Sequence, residues 1–173
     1  MILKPIKINE IFELQDIYLN SYTPIFSDHW DDDGMEIYLN RESDYNRLKS
    51  DIQNPFIEYY FIQQNKINVG IIKIKYQSSE LFSELENCEL EKIYILPEYS
   101  GKGLGRLAFS EIIKQTKKNG KKLVFLSVIS SNKNAIGFYE KIGFEFDSKT
   151  QIDEPNFKEG LRDMDRMKIY LDR

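Results

Sequence analysis

Cysteine and histidine are nearly missing from this chain: 173 residues hold one of each, Cys88 and His29. One cysteine excludes an internal disulfide framework, and one cysteine with one histidine cannot build a zinc site. The acidic residues lack the spacing of a calcium loop, so no metal is expected. A covalent mechanism through Cys88 is excluded on similar ground, because a catalytic thiol needs a neighbouring base and His29 lies far off in sequence, among aspartates. Long apolar runs are also missing. None approaches the roughly 20 residues that cross a bilayer, and Met1–Asn9 has neither the apolar core nor the cleavage-like site of a secretory signal. The expectation is a cytoplasmic protein with no membrane partner. There is no basic surplus either: 24 Lys and Arg against 28 Asp and Glu leave a net charge of −4. Nucleic acid is therefore excluded as a partner, since that binding draws on clustered Lys and Arg. Lys117, Lys118, Lys121 and Lys122 around Gly120 read as the cation-rich end of a capped helix, or as a contact for ligand phosphates.

What is present is enough for a core. With 41% hydrophobic and 13% aromatic residues, 1–173 reads as a single domain. Ile2–Ile8 alternates as a strand, Glu10–Leu19 and Ser43–Asp51 as helices, and Pro24 interrupts the segment between them. Ile57–Gln63 and Asn68–Tyr76 are aromatic and β-branched runs joined by Gln64-Asn65-Lys66, a hairpin. Ser78–Glu86 is a polar, acidic connection. Glu89–Leu96 is a strand, Lys102–Lys118 a helix with Leu104, Leu107, Ala108 and Ile112 on its apolar face, and Leu123–Val128 a strand covered on both sides. Asn132–Ile142 is a short helix, Phe144–Phe146 and Met164–Leu171 are closing strands, and Lys149–Leu161 is irregular. The class is α/β with a mixed sheet, in the order β-α-α-β-β-β-α-β-α-β-β.

The densest chemistry lies at Leu90–Leu107, where a strand ends at Leu96-Pro97 and passes through Ser100-Gly101-Lys102-Gly103-Leu104-Gly105-Arg106 into a helix. Alternate glycines allow positive φ, and the free N–H groups of the helix start converge on an anion. A Walker loop is ruled out because Gly101-Lys102 is followed by Gly103, with no Ser or Thr for magnesium. A dinucleotide fingerprint can be laid over Gly103, Gly105 and Ala108, yet the next strand, Lys122–Val128, carries no acid for the ribose hydroxyls.

Downstream stands Asn132-Lys133-Asn134-Ala135-Ile136-Gly137-Phe138-Tyr139-Glu140-Lys141-Ile142-Gly143-Phe144. Together the two segments, about Glu89 to Phe144, resemble the GCN5-related N-acetyltransferase (GNAT) superfamily. The resemblance implies that fold, a mostly antiparallel sheet with one splayed parallel strand pair, and acetyl-CoA as cofactor. It places the pyrophosphate on Ser100, Gly101, Lys102, Gly103, Leu104, Gly105 and Arg106. Ser100 stands where the family has Arg or Gln, and Lys102 and Arg106 supply the positive charge instead. The pantetheine falls to the backbone of Ile93, Ile95 and Leu96 and to Asn132, Ala135, Phe138, Tyr139 and Lys141. Asn132 reads equally as a helix cap. A homodimer is in keeping with the family.

The implied reaction is direct attack by an amine on the thioester. Deprotonating an ammonium of pKa near 10.4 at pH 7 costs about 4.6 kcal/mol, so a carboxylate must relay the proton. Glu91 and Glu89, on one face of the strand, are the candidates, Glu91 slightly ahead. Tyr139 matches the family tyrosine beside the cofactor sulfur, where it hydrogen-bonds or protonates the leaving thiolate. The family's acceptor wall corresponds to Tyr22–Leu39. Here Tyr22, Phe26, Trp30 and Asp31, with Tyr38 and further acids, suit a cationic amine such as a polyamine; alternatively the aromatics are core and the aspartates start a helix at Gly34–Asn40. The sequence looks most like the bacterial spermidine/spermine N-acetyltransferases. A protein N-terminal or lysine acetyltransferase, and a non-catalytic CoA-binding module, remain as alternatives.

Overall fold

A computed structural model of the chain describes residues 2–76, 82 and 87–171. The connection read at Ser78–Glu86 lies, apart from Phe82, outside the described residues. Seven strands form one sheet. They are β1 (Ile2–Pro5), β2 (Ile57–Gln64), β3 (Ile67–Tyr76), β4 (Asn87–Ile95), β5 (Leu123–Ile129), β6 (Glu145–Gln151) and β7 (Asp163–Tyr170), in the spatial order β1-β2-β3-β4-β5-β7-β6. All neighbours run antiparallel except β4 and β5, which are parallel. The helix between them, α4 (Leu104–Lys118), is the crossover that a parallel pair requires. The mixed sheet expected from the sequence is the one observed.

Differences from the expected elements have local causes. β1 stops at Pro5, and a 3-10 turn at Ile8–Glu10 leads into α1 (Ile11–Phe26). α1 is longer than expected and runs through Pro24, which lies in its last turn, so the residue that cannot continue the i−4 ladder stands two residues before the helix ends at Phe26. A further helix, α2 (Gly34–Glu42), follows, and α3 (Tyr45–Gln53) starts on Asp44, whose side chain accepts from the Arg47 N–H. Three helices, not two, thus precede β2. The β2–β3 turn is the two residues Asn65 and Lys66, at φ 52° and 68°, which suits the right-handed twist of the strands it joins. β6 continues to Gln151, into the stretch read as irregular. No helix among the described residues is long and apolar enough to cross a membrane.

Each face of the sheet buries its own cluster. Leu104, Ala108 and Ile112, one turn apart on α4, pack with Leu90, Val124 and Leu126. Leu107 is 54% exposed, so the apolar stripe is narrower than the sequence suggested. On the other face Ile11 and Leu14 of α1 and Leu48 of α3 pack on Phe61 and Ile71. The site lies where this two-sided packing is interrupted in the middle of the sheet.

Candidate active site

Two breaks in regularity build the site, and both are in β4. Its pairing with β5 comprises Asn87 with Leu123, Cys88 with Val124 and Glu89 with Phe125, and goes no further. From Leu90 onward the two parallel strands part. On its other edge β4 stays paired with β3 as far as Ile95 opposite Gly70, but with a register shift that leaves Glu91 as an extra residue between Leu90 and Lys92. Cys88 and Leu90 point into the α4 cluster, so Glu89 faces the α1 side. Past the bulge the parity reverses. Ile93 and Ile95 now join the α4 cluster, and Tyr94 and Leu96 join the α1 cluster.

The gap between β4 and β5 opens into a cleft of about 740 Å³ toward α4 and α5 (Lys133–Lys141). Its mouth is the glycine loop. Gly101 and Gly103 have φ of 71° and 78°, with open space where a Cβ would stand. Among the described residues the N–H groups of Gly103, Leu104, Gly105 and Arg106, at the start of α4, donate to no protein group, and these four residues line the cleft as an anion cradle. Ser100, Arg106, Lys141, Ala135 and Phe138 line it as well. Asn132 lines it while its Oδ1 accepts from the Ala135 N–H at 3.1 Å, so capping leaves its amide nitrogen available. A phosphate-bearing chain fits this donor set.

Two expected cofactor contacts fall outside the cleft. The Leu96 N–H donates to Val69 O at 2.9 Å and is spent on β3. Since amides alternate along a strand, the Ile95 N–H faces the gap instead. Lys102 turns back, its Nζ donating to Glu98 O at 2.6 Å and lying 5.4 Å from the Tyr99 ring centre. Tyr99, Asn134 and Ile142 line the cleft and were not anticipated.

On the α1 side lies a second cavity of about 560 Å³. Ile25, Ile93, Tyr94, Asn132, Ala135 and Tyr139 line both spaces. Tyr139 therefore stands at their junction, its ring packed against Phe138 and Phe144 and its hydroxyl without a hydrogen-bond partner among the described residues. Burial pushes its phenol above the ordinary value, which keeps it protonated.

The two glutamates differ sharply. Burial would raise the Glu91 carboxyl, but Lys92, Lys73 and Lys75 together bring it down to about 2. Lys73 Nζ is 2.9 Å and Lys92 Nζ 3.0 Å from Oε1, and Lys75 holds Oε2. Glu91, expected slightly ahead of Glu89 as base, is thus a counter-ion for three ammonium groups, with a carboxyl that takes up a proton less readily. Glu89 carries no ion pair among the described residues, and burial raises its carboxyl above the usual range. It lines the same cavity with a free lone pair to offer.

Of the expected acceptor wall, Tyr22 and Phe26 line the cavity, with Tyr38 stacked on Tyr22 at 5.4 Å. Trp30 does not: it is buried, its ring 4.9 Å from those of Tyr38 and Phe157. Asp31 also stays outside. Its N–H closes onto Asn156 O at 2.8 Å, and its side chain, like those of Asp28, Asp32 and Asp33, is turned to solvent. The aromatics are partly core, as the alternative reading held. Sequence reasoning missed Glu42, Lys92, Glu154 and Arg166 on the cavity wall.

A model of the acetyltransferase (GNAT) family matches residues 12–144. The [ribosomal protein bS18]-alanine N-acetyltransferase of Haemophilus influenzae is 43% identical over 60 residues, 35% of this chain and 40% of that protein. The chain spans about two fifths of the length of such curated relatives. The crystal structure of PaiA N-acetyltransferase from Thermoplasma acidophilum in complex with coenzyme A superposes with a TM-score of 0.77 at 20% identity, covering 98% of this chain and 99% of that one. A mutant spermidine N-acetyltransferase SpeG from Vibrio cholerae gives 0.72 at 17% identity, over 98% and 93% of the two chains.

Proposed function

Because the chain belongs to the acetyltransferase (GNAT) family, we propose that it binds acetyl-CoA in the cleft between β4 and β5 and acetylates a primary amine held in the α1-side cavity. The observation that carries this reading is the meeting of the two spaces at Tyr139, where strand pairing has ended at Glu89 and Phe125. Coenzyme A bound to the PaiA protein, a structural relative by fold, supports the cofactor assignment.

Bound there, acetyl-CoA supplies an activated thioester carbonyl. The chain's own residues do the rest. The free amides at the start of α4 hold the pyrophosphate, and the outward N–H of Ile95 is placed to polarise a carbonyl in the gap. Glu89 takes the proton that the incoming ammonium must lose, directly or through water. Tyr139, kept as a phenol, donates its Oη–H to the departing sulfur. With a phenol near 10 and a thiol near 8.5, full transfer is uphill by roughly 2 kcal/mol, so a hydrogen bond to the thiolate is the larger part of its role.

For the acceptor, the cavity of about 560 Å³ between α1, β4 and the β6–β7 end suits a small molecule. The polyamine reading draws on the spermidine N-acetyltransferase among the fold relatives. Its sequence support was the aspartate-rich segment, which lies outside the cavity, so the aromatic wall of Tyr22, Phe26 and Tyr38 is what a cation would meet. A protein substrate is the second reading, since the name of the Haemophilus relative gives an alanine of ribosomal protein bS18 as its target. Release of CoA thiol from acetyl-CoA, measured with diamines, spermidine, amino acids and short peptides, tests the proposal. Turnover with any amine supports transferase activity; tight CoA binding without turnover would leave a binding module.

A further inference from the structure

The charges on the acceptor cavity sort into those already paired and those left over. Glu42, Glu89, Glu91, Lys92, Glu154 and Arg166 line it. Glu42 is held by Lys92 at 3.3 Å and by Arg47 at 2.9 Å, Glu154 by Arg41 at 2.6 Å, and Glu91 by its three lysines. Among the described residues only Glu89 and Arg166 on this wall have no ion pair. Asp147 on β6, a carboxylate that the Arg166 charge acts on without an ion pair, accepts from Lys168 at 2.6 Å and from Ser148 at 2.9 Å. Arg166 Nε is shut off from solvent and has no hydrogen-bond acceptor.

Arg166 is firmly placed. β7 is paired on both sides there, to Ser127 of β5 and Ser148 of β6, so its backbone is covered and its side chain is what reaches the cavity. It shares a sheet face with Met164, two residues back, which packs on the α1 cluster, and this is also the face of Glu89. Glu89 sits beside Phe125 on β5, and Arg166 beside Ser127, two residues further along the same strand. From ordinary strand spacing the two Cα atoms are about 10–12 Å apart. The wall thus presents one free carboxylate and one free guanidinium across a gap that a short carbon chain spans.

Resting on the acetyltransferase reading, we propose that the acceptor is an amino acid, an amine that also bears a carboxylate, and that Arg166 holds that carboxylate while Glu89 receives the amine. A buried Nε–H kept from its hydrogen bond is costly, and a ligand carboxylate satisfies it in the forked geometry that the guanidinium prefers. A wholly cationic acceptor gains nothing from Arg166 and is repelled by it.

The test pairs amines that differ only in the carboxylate: lysine with cadaverine, phenylalanine with phenethylamine, and γ-aminobutyrate with propylamine, with spermidine alongside. For at least one pair kcat/KM favours the carboxylate member on the order of tenfold to a hundredfold. Arg166→Gln brings that ratio near one, mainly through a higher KM for the acid, and Arg166→Lys restores part of it. Cadaverine or spermidine outpacing every acid overturns the inference, as does an Arg166→Gln variant that keeps the ratio. If no amine is acetylated, saturation-transfer NMR with the three acids and CoA decides, and no bound acid overturns it. CoA affinity by calorimetry is measured in parallel; its loss in the unaltered protein sinks the cofactor reading instead, and its retention in the variants shows that they fold.

Discussion

Two glutamates one residue apart on one strand have opposite fates, because their neighbours differ. Glu91 meets Lys73, Lys75 and Lys92, and Glu89 meets none within ion-pair distance among the described residues. A carboxyl whose value burial raises accepts a proton more readily than an exposed one. Glu89→Gln should therefore lower kcat/KM on the order of a hundredfold while leaving the melting temperature equal to or above that of the parent. The sign follows from linkage: a carboxyl raised in the folded state costs stability once pH exceeds its unfolded value, and the neutral amide removes that cost. The acid limb of the parent's pH–rate profile should sit above the range of an exposed carboxylate and vanish in the variant. A profile with the same limb in Glu89→Gln would assign the base elsewhere. Tyr139→Phe should likewise cost kcat on the order of a hundredfold with CoA affinity nearly intact, read by stopped assays and calorimetry. Tyr139 is legible in the sequence as a residue set among motif neighbours, and its helix carries it to the junction of the two spaces. The sequence does not show how the two glutamates differ, because Lys73 and Lys75, which pair with Glu91, come from β3, and a single strand's text does not show what lies across it.

At the scale of the element, the glycine loop with α4 was the most legible part of the chain, because everything it needs is local: alternate glycines, a helix start, an apolar stripe. Gly103 caps α4 in the left-handed region at φ 78°, with no atom within 4 Å of where a Cβ would be. Gly103→Val is thus strained by its backbone and fills the space before the free amides. A left-handed β-branched residue costs about 1–2 kcal/mol, which the core tolerates, while CoA affinity should fall more than tenfold by calorimetry. Unaltered affinity would move the phosphate site off this loop. The bulge in β4 was illegible. Strict alternation through Glu89-Leu90-Glu91-Lys92-Ile93 would put Ile93 and Ile95 with the glutamates, whereas the extra residue at Glu91 sends them to the α4 side. Nothing in the residue types announces it, since a bulge is a property of the pair of strands. The acidic run before α2 misleads for a related reason. Spacing tells that Asp28, Asp31, Asp32 and Asp33 are close to the aromatic wall, but not that the chain turns their carboxylates outward.

For the whole molecule, the buried charges tie the helical layer to the sheet beneath the cavity. Lys73 on β3 bridges Glu91 on β4 and Asp51 on α3, at 2.9 and 2.8 Å, and Lys92 bridges Glu91 to Glu42 on α2. Lys73 is only 2% exposed and Lys92 7%, so each depends on the carboxylates around it. Such networks add little over an apolar core when intact, and cost heavily when one member is removed. Glu91→Gln should destabilise the fold by about 3 kcal/mol or more at neutral pH, whereas Glu89→Gln should not destabilise it. The same carboxylate makes an acid-sensitive hinge of the structure. Its folded value of about 2 lies below the ordinary 4.5, so its contribution is complete above pH 4.5 and drains away as pH falls toward 2. Across that window the parent should lose about 3 kcal/mol through this group. Urea melts at stepped pH should show a steep acid decline in the parent and a shallower one in Glu91→Gln; parallel declines would mean that the three lysines are held by other groups. Because α2, which lines the acceptor cavity with Tyr38 and Glu42, rests on this network, acid should also raise the KM for the amine before it weakens CoA binding, whose cradle on α4 belongs to the other face of the sheet.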